Sequence, residues 1–352
     1  MTLDLDDRGA VQRTDPGGML AVIGELGAHG REGYAHGVRA NGLPDLTDVR
    51  SVVCCGMGGS AVAGDVVRAV FRDRLGVPVE VNRSPELPEH AGPHALVLAS
   101  SYSGNTSETL AAFREAVKRG CRSVVVTSGG TIAHEAAEAG IPVVRVPGGF
   151  QPRAALGWLA FTALGALEAA GLLPPLADDV GEAADEVDAR AAACGPDVPT
   201  LDNPAKRLAE AIGDRIPVLW GAEGIGATAA ARWKTQMNEN GKVPAWWSSM
   251  SELDHNEVVG WTEPFGSAHA VIALRHEAED PEIAMRFPLS LEIAADAGAQ
   301  VHEVWATGRA ALARLASLVA LGDFTSAYVG IRKGVDPTPV DVLTRLKAAL
   351  AT

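Results

Sequence analysis

Short apolar runs rich in β-branched residues alternate with longer helical patterns, and this alternation constrains the fold more than any other feature. The run Val52-Val53-Cys54-Cys55 leads through glycines into a helix, and a second helix is predicted over 105–119. Further strand-like runs occupy 79–81, 95–99, 123–126 and 141–146. Short strands separated by helices of this length predict right-handed βαβ crossovers and a parallel sheet covered on both faces. The first half is therefore predicted to be a doubly wound α/β domain.

A second pattern of the same kind begins at residue 216. A strand-like run over 216–220 leads through the glycine-rich 221–226 into a helix, so the two halves resemble a weak internal repeat. Later strands are predicted at 268–274 and 301–305, and a last helix at 340–350. A length of 352 residues exceeds what one core usually serves. The Pro- and Gly-rich break over 146–153 predicts either a loop over a site or a border between domains, which would then be 1–152 and 153–352.

Composition excludes several classes of partner and compartment. The net charge of −14 repels polyanions, which argues against nucleic acid or an acidic membrane surface. The four cysteines lack the spacing of a disulfide or zinc framework, and the acidic amino end lacks a signal-peptide pattern, so a reducing cytoplasm is predicted. The apolar span 154–167 is shorter than the roughly 20 residues that cross a bilayer, which predicts a buried core helix.

The first glycine loop, Gly-Met-Gly-Gly-Ser-Ala-Val-Ala-Gly-Asp over 56–65, follows a strand and begins a helix. Free backbone N–H groups and the positive end of a helix suit an anion such as phosphate. Two alternatives stay open. The turn can be purely structural, or Gly56, Gly58 and Ala61, with Glu80 in the next strand, can belong to a dinucleotide site of a nicotinamide-dependent oxidoreductase.

A second loop, Ser-Ser-Tyr-Ser-Gly-Asn-Thr-Ser-Glu-Thr over 100–109, follows the strand at 95–99. Its hydroxyls cluster where a helix begins, and several neutral donors there can bind a phosphate dianion without arginine. Thr106 or Ser107 can instead simply cap the helix. Because both loops lie at the carboxyl ends of strands in one sheet, a ligand is expected in the crevice between them.

Candidate acid–base residues lie in two polar stretches, Asn-Glu-Asn-Gly-Lys over 238–242 and Ser-Glu-Leu-Asp-His-Asn-Glu over 251–257. A carboxylate, a histidine and an anion site together suggest proton transfer on a phosphorylated small molecule. The alternatives are that Glu239 forms a surface ion pair with Lys242 or Lys234, and that His255 is an ordinary core or interface histidine.

These motifs, with Gln-Pro-Arg-Ala-Ala-Leu-Gly-Trp over 151–158 and the full runs over 238–247 and 251–261, resemble the bifunctional phosphoglucose/phosphomannose isomerases. That family belongs to the superfamily built from two sugar isomerase (SIS) domains, and the resemblance spans nearly the whole chain. It implies two SIS-type, Rossmann-like subdomains. It also implies an aldose–ketose isomerase that interconverts glucose 6-phosphate and mannose 6-phosphate with fructose 6-phosphate.

The resemblance also implies roles for particular residues. Arg153 would face the C1 and C2 oxygens, Glu239 would be the base, and His255 would assist ring opening. The residues implied around the sugar phosphate are Gly59, Ser60, Ser101, Ser103 and Thr106. Moving a proton between C2 and C1 through a cis-enediolate needs a carboxylate near the proton and a cation near the developing oxyanion, which these residue types supply.

Further expectations concern assembly and cofactors. The family resemblance implies a homodimer with shared active sites, the histidine reaching across, and polar groups from the last helix, for which Thr338 and Lys347 are the candidates. No cofactor is expected. No metal is expected either, because His90 and His94 flank Pro93 and cannot share one helix face. Trp246, Trp247 and Trp261 suggest packing or an interface more than a sugar platform. The functional alternative is a non-catalytic sugar-phosphate sensor of the same superfamily.

Overall fold

The computed structural model describes residues 2–263 and 265–350, and within them nine strands form two sheets. The strands β1 to β9 are Ser51–Cys55, Val79–Asn82, Ala95–Ser100, Arg122–Thr127, Val143–Arg145, Ile216–Ala222, Trp246–Met250, His269–Arg275 and Gln300–Trp305. The helices α1 to α14 are Arg8–Thr14, Met19–Gly24, Leu26–Val38, Val62–Phe71, Ser107–Lys118, Gly130–Glu138, Leu156–Ala169, Ala177–Cys194, Pro204–Ile212, Ile225–Glu239, Pro281–Ala284, Arg286–Asp296, Ala311–Arg332 and Asp341–Leu350.

The first sheet has five parallel strands in the order β2-β1-β3-β4-β5. Its central strands β1 and β3 are buried along their whole length, as expected for strands covered by helices on both faces. The strand order reverses at β1, so the crevice between β1 and β3 is the point where doubly wound folds bind ligands. The predicted doubly wound α/β architecture is confirmed.

The second sheet has four parallel strands in the order β7-β6-β8-β9. It repeats the plan of the first sheet, because the buried strand β6 leads through glycines into α10. Strand β7, Trp-Trp-Ser-Ser-Met, is absent from the sequence prediction. It is an edge strand whose side chains go from exposed to buried along its length, so it lacks the two-residue alternation that marks a half-buried strand.

The chain divides into two compact units that are discontinuous in sequence. The first unit comprises residues 1–24, 189–306 and 318–352, and the second comprises 25–188 and 307–317. The domain boundaries 1–152 and 153–352 stay a prediction. Residues 1, 264, 351 and 352, which fall within these predicted domains, lie outside the described residues.

Helix α7 is the buried core helix predicted from the apolar span 154–167, since every side chain from Leu156 to Leu167 is buried. It packs closely on α3 because both helices carry glycines, and a Cβ at Gly37 would lie 2.2 Å from the Thr162 carbonyl oxygen. A longer helix, α13, is apolar enough to cross a membrane by length and composition, but 94% of its most apolar 18-residue stretch is buried within the protein. Such burial is typical of a core helix.

Candidate active site

The first glycine loop turns the chain from β1 into α4 at the carboxyl edge of the first sheet. Gly58 has φ = 52°, in the left-handed region that glycine adopts at little cost. A 3-10 turn over Gly58–Ser60 follows, and Ser60 is buried. Because α4 begins two residues later, at Val62, the loop lies at a helix N-terminus, where backbone N–H groups favour an anion.

The serine loop leaves β3, the strand paired with β1, and leads into α5. Thr106 is the N-cap residue of α5, but its side chain makes no capping bond. Its hydroxyl oxygen instead lies 3.2 Å from the buried Ser101 Oγ, which donates to it. The capping alternative is therefore wrong for Thr106, and the two hydroxyls are gathered at the start of the helix.

The two loops are joined directly. The backbone N–H of Tyr102 in the second loop donates to Ser60 Oγ in the first at 3.1 Å. Within the second loop, the Asn105 N–H donates to Ser103 Oγ at 3.3 Å. We call residues 56–61 and 101–106 the phosphate loops. They bring together all five residues that the resemblance implies around a sugar phosphate: Gly59, Ser60, Ser101, Ser103 and Thr106. Because the net charge of the chain is negative, a bound dianion needs local donors. Four hydroxyls near two helix N-termini are suited to that purpose.

Arg153 lies against the first of the phosphate loops. A Cβ at Gly59 would stand 2.9 Å from the Pro152 carbonyl oxygen and 3.1 Å from the Arg153 Cα. Arg153 is only 2% exposed, and its Nη1 lies 3.5 Å from Gln151 Oε1, at the limit of a hydrogen bond. A guanidinium keeps its charge even when buried, so Arg153 brings a permanent cation to the same edge of the sheet.

A second charge near the glycine loop is already paired. Asp65, one turn into α4, lies beside the guanidinium of Arg83 and 3.5 Å from that of Arg68. Burial raises the pKa of Asp65, and the two arginines oppose that shift. This carboxylate therefore contributes no unpaired negative charge that would repel a phosphate.

Glu239 is the last residue of α10, and the turn after it is fixed by its polar neighbours. Asn238 Nδ2 donates to the Val243 carbonyl at 2.8 Å, and the fully buried Asn240 donates from Nδ2 to Ser326 Oγ at 3.0 Å. These bonds hold the backbone on both sides of Glu239, which is half-buried at the end of its helix. Both amides therefore anchor the turn.

Lys242 holds the segment before the last helix against the end of α10. Its ammonium donates to the Glu239 carbonyl, to the Pro337 carbonyl at 3.1 Å and to the Pro339 carbonyl at 2.6 Å. These bonds bring the backbone around Thr338 to that of Glu239. Sequence reasoning treated Lys242 only as an ion-pair partner and missed this function. The sequence carries little sign of this function. Lys242 adopts a left-handed backbone conformation with φ = 52°, which the residue type does not indicate.

Lys347, the second candidate from the carboxyl-terminal region, lies on α14. Every residue from 341 to 349 is exposed, including the apolar Val342, Leu343 and Leu346. Lys347 has no hydrogen-bond or ion-pair partner within the described residues. The structure therefore associates Thr338 with Glu239 in the first unit, and Lys347 stays a prediction on the exposed α14.

His255 ends a 3-10 turn over Glu252–His255 and is exposed. Its neighbours bind the scaffold: Asp254 accepts a hydrogen bond from Ser290 Oγ at 2.7 Å, and Glu257 accepts one from Trp220 Nε1 at 2.9 Å. The imidazole itself contacts no hydrogen-bonding or charged group in residues 2–263 and 265–350. The core-histidine alternative is therefore wrong, and the segment presents His255 outward.

The second sheet has a cavity of about 400 Å³ at its carboxyl edge, in the place that corresponds to the phosphate loops. Carboxylates line it, among them Glu223 and Glu252, while Glu279 is paired with Arg275 at 2.8 Å. Such a lining disfavours a phosphate dianion, because like charges repel. The internal repeat thus preserves the strand–loop–helix plan, while the clustered hydroxyls of the phosphate loops follow strands of the first sheet.

The tryptophans divide into two groups. Trp261 packs edge-to-face between Trp220 and His269, with ring centroids 5.7 and 5.5 Å apart, as the packing interpretation predicts. Trp246 and Trp247, on the edge strand β7, are 54% and 42% exposed. For these two the exposure favours the interface alternative over packing, and the interface stays a prediction.

The described residues contain no group of three or more His, Cys, Asp or Glu side chains arranged to hold a metal ion. His90 and His94 each lie near a carboxylate, His90 3.8 Å from Glu80 and His94 3.0 Å from Asp48.

The parallel sheets and the phosphate loops define a protein built from two SIS domains. The family model for the SIS domain matches residues 45–144, and that for the bacterial phospho-glucose isomerase C-terminal SIS domain matches residues 201–350. A bifunctional phosphoglucose/phosphomannose isomerase of Caldicellulosiruptor bescii is 37% identical over 309 residues, covering 86% of this chain and 90% of that protein. The chain belongs to the bifunctional phosphoglucose/phosphomannose isomerase family.

Other proteins are similar to this chain over most of its length. The Aquifex aeolicus protein of the same name is 33% identical and covers 87% of this chain and 92% of its own. A D-glucosamine-6-phosphate 4-epimerase of Sulfolobus acidocaldarius is 28% identical, covering 68% of this chain and 72% of its own. A solved glucose-6-phosphate isomerase-like protein of Thermus thermophilus superposes with a TM-score of 0.64 at 20% identity over 98% and 99% of the two chains, which supports the fold.

Proposed function

We propose that this chain is a metal-independent aldose–ketose isomerase that interconverts glucose 6-phosphate and mannose 6-phosphate with fructose 6-phosphate. The observation that carries the proposal is the packing of Arg153 on Gly59, because it places a buried cation against the phosphate loops at one edge of the first sheet. An isomerase needs both, the first to hold the sugar and the second to stabilise charge that develops near C1 and C2.

The phosphate loops hold the 6-phosphate in this proposal. Ser60, Ser103 and Thr106 supply hydroxyl donors, while the Ser101 hydroxyl donates to Thr106 and orients it toward the ligand. Gly59 lets the backbone approach the ligand. The Ser101–Thr106 hydrogen bond supports the assignment, since both hydroxyls are gathered beside the free N–H groups of α5. Binding energy from the phosphate, which does not react, is then available to orient the reacting carbons.

Glu239 takes the proton from C2 of the aldose and returns it to C1 through a cis-enediolate. Arg153 faces the C1 and C2 oxygens and stabilises the negative charge of that intermediate. If the base reaches C2 of either epimer after rotation of the open sugar, both aldoses give the same ketose. The fixed turn around Glu239 supports its assignment, because a base must be held in place to act on a particular carbon.

His255 moves protons between the ring oxygen and the C1 hydroxyl to open the sugar ring. Its exposure and its lack of a partner support action on a site of a second subunit, so the enzyme is a homodimer with shared active sites. Thr338, held near Glu239 through Lys242, and Lys347, on the exposed α14, complete the substrate-binding set.

An exposed apolar stripe formed by α12 and its N-cap residue Met285 also supports a homodimer. Met285, Leu289 and Ile293 recur every fourth residue and are 66%, 63% and 42% exposed. Antiparallel pairing of this face about a two-fold axis at Leu289 would match Met285 with Ile293 of the partner subunit. Apolar surface of this kind marks an interface more often than a solvated face. The cytoplasm is the proposed compartment, since all four cysteines are free and buried.

The direct test is turnover of glucose 6-phosphate and mannose 6-phosphate to fructose 6-phosphate in EDTA, with glucosamine 6-phosphate as a third substrate. Conversion of both hexose phosphates without added metal supports the proposal. Binding of the hexose phosphates without turnover would favour the sugar-phosphate sensor. Turnover of glucosamine 6-phosphate alone would indicate a different substrate class on the same fold.

A further inference from the structure

Tyr102 lies in the serine loop between two of the phosphate-binding hydroxyls, and its side chain points away from them. The side chain is 6% exposed. Its hydroxyl donates to the Pro147 carbonyl at 3.1 Å and accepts the backbone N–H of Phe150 at 2.9 Å. One phenol thus bonds the backbone on both sides of the glycine pair Gly148-Gly149.

The backbone of Tyr102 is fixed independently of its side chain. Its N–H donates to Ser60 Oγ at 3.1 Å, and its carbonyl accepts the N–H of Ser128 at 3.1 Å and the Ser128 hydroxyl at 2.6 Å. The phenol therefore extends from a rigid position shared by both phosphate loops. Burial raises the pKa of Tyr102, so the hydroxyl keeps the proton that it donates.

The glycine pair has little else to hold it. Both residues are exposed, no heavy atom lies within 4 Å of the Cβ position of either, and Gly149 has φ = 98°. Glycines have the largest backbone freedom of any residue, so an unrestrained pair would leave the loop in many conformations. Phe150 adds one more contact, its ring lying 4.9 Å from that of His29.

The chain reaches Arg153 three residues after this closure. A hydrogen bond from the Ala154 N–H to the Gln151 carbonyl at 2.8 Å makes the intervening residues a tight turn. Movement at Phe150 is therefore transmitted to Arg153 through a short, stiff connection. A shift of about 1 Å in such a group can change a catalytic rate by roughly a hundredfold.

We propose that the Tyr102 hydroxyl is a positioning group that sets the placement of Arg153 by closing the loop 147–150 onto the phosphate loops. The inference deepens the proposed function and rests on it for the catalytic role of Arg153. Tyr102 then serves two parts of the reaction. Its backbone belongs to the phosphate loops, and its side chain holds the loop that leads to Arg153.

The test is Tyr102→Phe, which deletes the hydroxyl and leaves the ring and the backbone bonds. We expect a fall in kcat of roughly tenfold to thirtyfold from the loss of two hydrogen bonds, with KM and competitive inhibition by inorganic phosphate changed by no more than about twofold. Hydrogen exchange of the Phe150 amide should accelerate. Tyr34→Phe is the matched control, because Tyr34 donates to Glu168 at 2.6 Å elsewhere in the same unit.

Three results would overturn the proposal. Unchanged kcat with unchanged exchange at Phe150 would show that the hydroxyl holds nothing. A rise in KM and weaker phosphate inhibition at constant kcat would assign Tyr102 to the phosphate seat instead. Equal losses in Tyr34→Phe would indicate general destabilisation. Inactive wild-type protein would instead contradict the proposed function, while the exchange of Phe150 would still test the loop closure.

Discussion

Gly59 lies directly beneath the backbone of Arg153, with room for a hydrogen atom and none for a methyl group. The ideal Cβ position at Gly59 is 3.1 Å from the Arg153 Cα and 2.9 Å from the Pro152 carbonyl oxygen. Neither neighbour is the end of a flexible side chain, so backbone would have to shift. The glycine of the anion loop therefore also fixes how closely the arginine approaches it.

Gly59→Ala is expected to displace Arg153 and lower kcat by roughly tenfold to a hundredfold. The added methyl group should also lower the free energy of unfolding by about 1–3 kcal/mol, as overpacking usually does. Steady-state kinetics and urea unfolding measure the two effects. Gly76→Ala is the matched control, because Gly76 is exposed and its Cβ position is open. Full activity in Gly59→Ala would separate the loop from Arg153.

A hybrid dimer tests whether active sites are shared. If His255 acts in the site of the partner subunit, one Glu239→Gln subunit paired with one His255→Asn subunit has one site with both changes and one site with neither. The hybrid, purified through two affinity tags, should retain about half of wild-type activity per dimer. Each parent homodimer should be nearly inactive. A hybrid no more active than its parents would show that each subunit supplies its own histidine.

His29 predicts a pH-dependent stability. Burial lowers the pKa of His29 below its usual value, although Glu25 and Glu32 oppose the shift. The unfolded chain therefore takes up a proton as the pH falls through about 6.5, while the folded protein takes it up only at lower pH. The contribution of His29 to stability is present above that pH and is lost below it. His29→Gln should show a shallower fall in unfolding free energy between pH 7 and pH 5 than the wild type, and identical slopes would contradict the account.

The cysteines should be unreactive in the folded protein. All four are buried, and burial raises the pKa of each thiol, to about 12 for Cys55 and about 11 for Cys194. Because the thiolate is the nucleophile, iodoacetamide at pH 8 should label none of them in the native state and all four in denaturant. Rapid native labelling detected by mass spectrometry would contradict the burial.

Sequence patterns predict the elements and loops that depend on neighbouring residues. They do not predict contacts between residues that are distant in the chain. The strand–glycine–helix order predicts both sheets, and the hydroxyls of the serine loop predict an anion site, since strand ends and helix starts coincide there. The strand Trp246–Met250 has no periodicity because it lies at an edge.

The same limit applies to individual side chains. Lys242 bonds the carbonyls of residues 337 and 339, about a hundred positions later, and the Tyr102 hydroxyl bonds residues 147 and 150. Neither contact leaves a mark in the residues that flank the side chain. Both became visible only when the fold brought those segments together.

Proton transfer by Glu239 is the central claim, and isomerisation in deuterium oxide tests it most directly. Wild-type enzyme should incorporate solvent deuterium at C1 of fructose 6-phosphate. Glu239→Gln should incorporate none and turn over at least about a hundredfold more slowly, while still binding the sugar phosphate. Glu277→Gln, at an exposed glutamate in the same unit, should behave as wild type. Wild-type exchange and turnover in Glu239→Gln would contradict the account.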